Sequence, residues 1–335
     1  MTVSFKGLTG SVGVVNPLKP VGVGVVGVGA WGKNHARVFS ELDKANLIAI
    51  VDRDNDRART LAKRFNTQHF SDVDDLLRLE DVDAITICTP TVTHADIALQ
   101  AIEAGKHILV EKPMTDTVQQ AHRIIDAAKS AKSILMVGFV ERFNPSVQTA
   151  VEVIDEGNIG ELVLGSARRL GPFVPERVAD IGIIKDLAIH DIDIARYMVK
   201  QEATSVYAIA GSLYHKYEDH ANLVIRFDDK PTFFIECNWL TPHKLRGLNI
   251  TGSRGVLSLD YISQEVSLGT NQWIQKSTAS WDEPLKHELT HFIQSVAQQQ
   301  EPLTSGRDGL EALKIAEAAL VSAQSKKIIY LEEEF

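Results

Sequence analysis

From Val21 onward the chain alternates short apolar runs with amphipathic stretches of helical period. Val21–Val26 is unbroken apolar sequence, the pattern of a parallel strand buried on both faces. The pattern then predicts a helix over 33–42, a strand over 47–51 and a helix over 56–65. A short strand near His69 and further strands over 82–88, 107–110 and 134–137 follow, with helices over 94–104 and 116–131 between them. Strands alternating with helices at this spacing mean a parallel, doubly wound sheet.

After Gly138 the rhythm changes. Helical patterns over 145–156 and 185–199 precede six strand-like runs, at 206–214, 221–227, 232–239, 248–251, 255–259 and 265–268. Short polar turns such as Asp228-Asp229-Lys230 join them, which predicts an open, largely antiparallel sheet. Helices over 284–298 and 308–325 close the chain. The fold class is therefore α/β, with an N-terminal extension over 1–20, one domain over 21–140 and a second over 141–335. A large sheet with helices on one face leaves its other face to bury, so a homo-oligomer, dimer or tetramer, is expected through the C-terminal sheet.

A length of 335 residues suits two cores, and 44% hydrophobic with 24% charged residues is the composition of a soluble globular protein. No apolar run approaches the roughly 20 residues of a membrane span, and the first residues lack the pattern of a signal peptide. A soluble, cytoplasmic protein without a membrane partner is the expectation. The net charge of −9 argues against nucleic acid as a partner. Cys88 and Cys237 each lie in an apolar run and read as small core residues, with no metal site implied.

Candidate chemistry begins at Gly27-Val28-Gly29-Ala30-Trp31-Gly32, the only glycine triplet framed by a strand end and a helix start. The first glycine permits a tight turn, the second lets backbone approach a pyrophosphate, and the third allows close helix packing. Free N–H groups at the helix start then meet the negative charge. The next strand ends at Asp52, 20 residues after Gly32. A carboxylate there accepts hydrogen bonds from the adenosine ribose and repels a 2′-phosphate, which favours NAD, although Arg53 beside it weakens that preference. These features predict a Rossmann domain.

Three further segments carry a resemblance. Thr89-Pro90-Thr91-Val92-Thr93-His94, Glu111-Lys112-Pro113 and Asp186-Leu187-Ala188-Ile189-His190 occur in the order and at the separations of the Gfo/Idh/MocA oxidoreductase family. The resemblance implies cofactor contacts at Thr89, Pro90, Thr91, His94, Glu111 and Lys112. It also implies that Lys112 stands beside the nicotinamide, with Asp186 and His190 facing it from the second domain. Oxidising a secondary alcohol needs a hydride acceptor, a base for the hydroxyl proton and a cation beside the developing alkoxide. Histidine suits the base, and an ammonium on a rigid turn suits the cation. Asp186 and His190, four apart, share one helix face with Asp193 and Tyr197, a stripe that an ordinary solvated face explains equally well. Many relatives carry glycine where Ala188 stands. Asp191 points into the apolar arc and calls for an internal partner.

Basic clusters narrow the substrate class. Arg142 and Asn144 lie where the domains meet, Arg168 and Arg169 follow the first strand of the second domain, and 239–246 is basic and aromatic. Arginines suit bidentate phosphate contacts, so an anionic substrate is expected at Arg142, Asn144, Arg168 and Arg169. Arg142-Phe143-Asn144-Pro145, Asp186-Leu187-Ala188-Ile189-His190-Asp191-Ile192-Asp193 and the segment 239–246 together resemble the family branch that oxidises the sugar C3 hydroxyl of nucleotide-activated amino sugars such as UDP-N-acetylglucosamine or its uronic acid. Inositol or a free sugar is the alternative substrate, and a non-catalytic NAD-sensing regulator is the reading from another class.

Overall fold

The computed structural model describes residues 19–172, 180–228, 231–277 and 281–331. The expected extension over 1–20 falls almost wholly outside the described residues. The N-terminal strands are β1 (Val21–Val26), β2 (Ala45–Val51), β3 (Gln68–Phe70), β4 (Ala84–Ile87), β5 (His107–Glu111) and β6 (Leu135–Gly138). Between them run α1 (Gly32–Glu41), α2 (Asn55–Phe65), α3 (Val73–Leu77), α4 (His94–Glu103) and α5 (Val118–Ala131). All the strands pair in parallel, in the order β3-β2-β1-β4-β5-β6. The order in which strands are added therefore reverses between β1 and β4, and such switch points are where sheets of this kind bind ligands.

Among the described residues the second sheet holds nine strands. α6 (Pro145–Asp155) leads to β7 (Leu162–Pro172), then α7 (Ile189–Val199), β8 (Ser205–Gly211), β9 (His220–Arg226) and β10 (Thr232–Asn238). β11 (Leu240–Gly252), β12 (Val256–Asp260), β13 (Val266–Gly269) and β14 (Ile274–Lys276) continue the sheet. α8 (Pro284–Gln298), α9 (Gly306–Ser325) and β15 (Ile329–Tyr330) finish it, in the order β14-β13-β12-β11-β7-β10-β9-β8-β15. Among the described residues of this sheet, only β7 and β10 pair in parallel. One face packs on α7 and α9. The other bears Leu164, Ile209, Phe234 and Val256, each more than two-fifths exposed.

Two features depart from the sequence expectations. α8 returns to the first domain, where Leu289 and Phe292 pack with Val23 and Val25 of β1, so the C-terminal segment serves both cores. Arg168 and Arg169 lie within β7 rather than after a strand. Strand alternation then sends them to opposite faces, Arg168 outward and Arg169 inward.

Candidate active site

Three loops at the C-terminal edge of the parallel sheet build the cofactor side. In the glycine loop, Gly27 has φ +83°, and a Cβ there meets Thr89 Cγ2 at 2.8 Å. At Gly32 a Cβ falls 1.9 Å from the Gly27 oxygen. Gly29, by contrast, has nothing within 4 Å of its Cβ position, which leaves its backbone open to an approaching pyrophosphate. The start of α1 carries no side-chain cap, so its N–H groups stay available to an anion. These residues fit a dinucleotide.

Asp52 follows β2 directly. Its Oδ2 accepts from Val28 N at 2.9 Å and its Oδ1 from Asp54 N at 2.9 Å, which ties the glycine loop to the strand end. An ionised carboxylate offers about four acceptor sites, so capacity remains for ribose hydroxyls. Arg53 is exposed. Arg57, a residue the sequence reading passed over, lies 3.4 Å from Asp52.

The second and third loops are stapled together by His94. Its ring nitrogens lie 2.9 Å from the Thr89 and Pro113 oxygens, which locks the Thr89-Pro90-Thr91 loop to the Lys112 turn. Burial pushes the imidazole below its ordinary value, against the pull of the two carbonyls. Thr93 Oγ1 donates to Thr89 Oγ1 at 2.7 Å. Beneath the turn, Glu111 accepts from Trp31 Nε1 at 2.7 Å and from Lys112 N at 3.2 Å, and lies 2.9 Å from His35 Nε2. Burial works against this carboxylate, yet His35, Lys112 and Trp31 together hold it below the usual range. Trp31 thus links the phosphate loop to the Lys112 turn, while Ala30 is exposed.

Lys112 precedes a cis peptide bond to Pro113. Its Nζ donates to the Asp186 main-chain oxygen at 2.7 Å and to Asp186 Oδ1 at 2.8 Å. Asp186 sits in a single π-helical turn, Ile184–Ala188, that runs straight into α7. Such turns loosen the regular ladder and recur at functional sites. Glu218 caps its start, its main-chain oxygen accepting from Ile183 N and its Oε1 from Ile184 N. His190 follows about one turn later and is 9% exposed. The fold therefore brings Lys112 onto Asp186 from 74 residues away and sets His190 beside them on the same helical run.

The stripe from Asp186 to Tyr197 is no solvated face, because α7 is buried nearly all round. Asp191 has the internal partner that its position demands. Arg169 Nε and Nη2 meet its two oxygens at 2.7 and 3.0 Å.

The anion-binding expectation is corrected at four positions. Arg142 is 4% exposed, and its donors go to Asp193, Asp308 and the Leu303 oxygen. Burial opposes its charge, but the Asp193 and Asp308 carboxylates overcome that and hold the guanidinium charged. Arg169 is 1% exposed and committed to Asp191 and Glu141. Asn144 caps α6 and donates to the Tyr261 main-chain oxygen. Arg168 pairs with Glu236 on the outer sheet face, away from α7. Buried arginines at this density were recruited to pair with carboxylates on α7, which no spacing rule reveals. In the basic aromatic segment, Trp239 is buried with the His215 ring edge-on at 5.4 Å, and Arg246 lies 3.5 Å from Glu141.

Two more buried groups were missed. His35 is fully buried on α1, with Nδ1 3.1 Å from Thr86 Oγ1. Its apolar neighbours Ala36 and Phe39 on the same helix were the available signal. Glu288 on α8 is fully buried, and among the described residues neither carboxylate oxygen has a hydrogen-bond partner. Burial, with Glu111 and Glu141 adding repulsion, pushes it well above the carboxylate range. Cys88 and Cys237 are both free thiols, raised by burial.

A glycine loop, a carboxylate at the end of β2, and a lysine paired with an aspartate 74 residues further along the chain fit a dinucleotide-linked oxidoreductase. Comparison with known proteins identifies it further. The model described as the oxidoreductase family with an NAD-binding Rossmann fold matches residues 21–139, and that of the GFO/IDH/MocA C-terminal domain matches 147–258. The chain belongs to the Gfo/Idh/MocA family, and its cofactor is NAD. It is 29% identical to an inositol 2-dehydrogenase of Rhizobium meliloti, covering 91% of this chain and 98% of the relative. It is 35% identical to a UDP-N-acetylglucosamine 3-dehydrogenase of Acidithiobacillus ferrooxidans over 56% of each chain. The solved structure of the Acidithiobacillus enzyme superposes with a TM-score of 0.84 at 26% identity, covering 91% of this chain and 98% of that one. No described helix is long and apolar enough to cross a membrane.

Proposed function

We propose that this protein oxidises a ring CH–OH group of a sugar or cyclic polyol, with NAD as hydride acceptor. The observation that carries the reading is the double contact of Lys112 with Asp186, with His190 about one turn further on. Bound NAD supplies the electron sink for the hydride that leaves the carbon. The residues do the rest. His190 takes the hydroxyl proton, and the Lys112 ammonium stabilises the negative charge that develops on oxygen. Asp186 aims Lys112. Gly27, Gly29, Gly32, Asp52, the Thr89 loop and the Lys112 turn hold the cofactor.

Within that class the proposed substrate is a UDP-linked amino sugar oxidised at C3, such as UDP-N-acetylglucosamine. The motif resemblance and the 35% identity support it. A second reading, inositol or a free sugar, gains from the structure. With Arg142 and Arg169 consumed internally and Arg168 facing outward, the arginine argument for a phosphate clamp is gone. Relatives named for inositol also match over nearly the whole chain. One experiment separates them: NADH absorbance with NAD and UDP-N-acetylglucosamine, its uronic acid, myo-inositol or glucose. Reduction by UDP-N-acetylglucosamine alone supports the first reading, and reduction only by the free polyols overturns it.

The exposed sheet face also supports a homo-oligomer. Leu164, Ile209, Phe234 and Val256 lie on that one face, and a second copy of the chain is the proposed cover. Light scattering on wild type and Phe234→Lys checks it.

A further inference from the structure

The two arginines removed from the substrate site have an arrangement that framework pairing alone does not require. Glu141 and Arg142 are adjacent in a short turn, Val140–Phe143, that leaves the last strand of the cofactor domain. Each reaches the helix that carries His190. Arg142 meets Asp193 with two nitrogens, Nε at 2.8 Å and Nη2 at 2.6 Å, and lies over the Tyr197 ring at 4.7 Å. Glu141 reaches it through Arg169, whose Nη1 donates to Glu141 Oε1 at 2.7 Å while Nε and Nη2 grip Asp191.

Asp191 and Asp193 are two residues apart, so on an α-helix they point about 200° from each other. The helix is thereby held from nearly opposite sides by two paired guanidinium–carboxylate contacts, each of which fixes orientation as well as distance. His190 immediately precedes Asp191. The same turn is tied to the Lys112 loop, because Gly138, two residues before Val140, packs so closely on Glu111 that a Cβ there falls 2.9 Å from its carboxylate.

We propose that Arg169 and Arg142 are positioning residues that fix the rotation of α7, and with it the direction of the His190 ring, relative to the cofactor domain. A single rigid path then runs from the Lys112 turn through Glu111, Gly138 and the 140–143 turn to His190. The link to turnover rests on His190 as the base, but the rotational grip itself does not.

The test uses Arg169→Lys, which keeps the buried charge but not the forked geometry, and the charge-free pair Arg169→Met/Asp191→Leu. Histidine-labelled NMR, with His190 assigned by its loss in His190→Ala, reads the ring directly in the NAD-bound protein. The His190 resonance should shift or broaden in both variants while circular dichroism and NAD affinity hold. In the assay with whichever of UDP-N-acetylglucosamine or myo-inositol the wild type oxidises, kcat should fall about 10-fold to 100-fold with KM little changed. An unmoved His190 resonance in a folded variant overturns the proposal whatever turnover does. A moved resonance with wild-type turnover keeps the grip and removes His190 from the chemistry instead. If the double variant does not fold, Arg169→Lys carries the same test.

Discussion

Lys112 donates to two oxygens of one residue, the Asp186 side chain at 2.8 Å and the Asp186 main chain at 2.7 Å. The main-chain acceptor is present whatever the side chain, because the π-helical turn presents that carbonyl to the ammonium. Lys112→Ala is therefore expected to lower kcat by roughly 10²–10³, the usual effect of losing a donor to a developing oxyanion. Asp186→Asn, which keeps the carbonyl contact, should cost less. Initial rates of NADH formation measure both, and equal losses would mean that the Asp186 charge itself is needed.

His190→Ala should lower turnover by about 10²–10⁴, the range for general bases, and leave NAD affinity nearly intact. Fluorescence titration with NAD beside steady-state rates separates the two effects. Full turnover in this variant would exclude His190 as the base.

Asp52 holds the glycine loop through Val28 N, and its proposed partners are the adenosine ribose hydroxyls. Hydrogen bonds to a charged acceptor contribute about 1.5–3 kcal/mol, so Asp52→Ala should raise the NAD dissociation constant about tenfold or more. Affinity for NADP should fall less, since a repelling charge is lost with the acceptor. Calorimetric titration with each dinucleotide checks both statements.

Glu288 gives a pH signature. Burial raises its folded-state pKa well above the ordinary carboxylate value. Between those two values the folded protein holds a proton that the unfolded chain has released, so stability falls as pH rises through that window. Glu288→Gln lacks this titration. Its melting temperature should gain on wild type as pH rises above the ordinary carboxylate range, and the gap should close below that range. A constant gap across pH would show that Glu288 is ionised in the folded protein.

The apolar runs at β1, β4 and β5 were legible because a parallel strand buried on both faces leaves no polar position to confuse the pattern. The glycine loop was legible for the same local reason, since its three glycines answer to steric needs within a few residues. The arginines were not. Arg169 looked like a surface base after a strand, and only the length of β7 shows that alternation turns it inward onto Asp191. α8 was legible as a helix but not as a wall of the cofactor domain, because an amphipathic face does not name the sheet that covers it.

By itself the sequence determined the dinucleotide loop and the order of the elements, and it named the candidate reacting groups, because these follow from local pattern and residue chemistry. The tertiary structure decided which carboxylate each cation meets. Lys112 reaches Asp186 across 74 residues, and Arg142 and Arg169 spend their charge on α7. A buried charge must find an opposite charge nearby in space, and nearness in space is what a linear pattern does not encode.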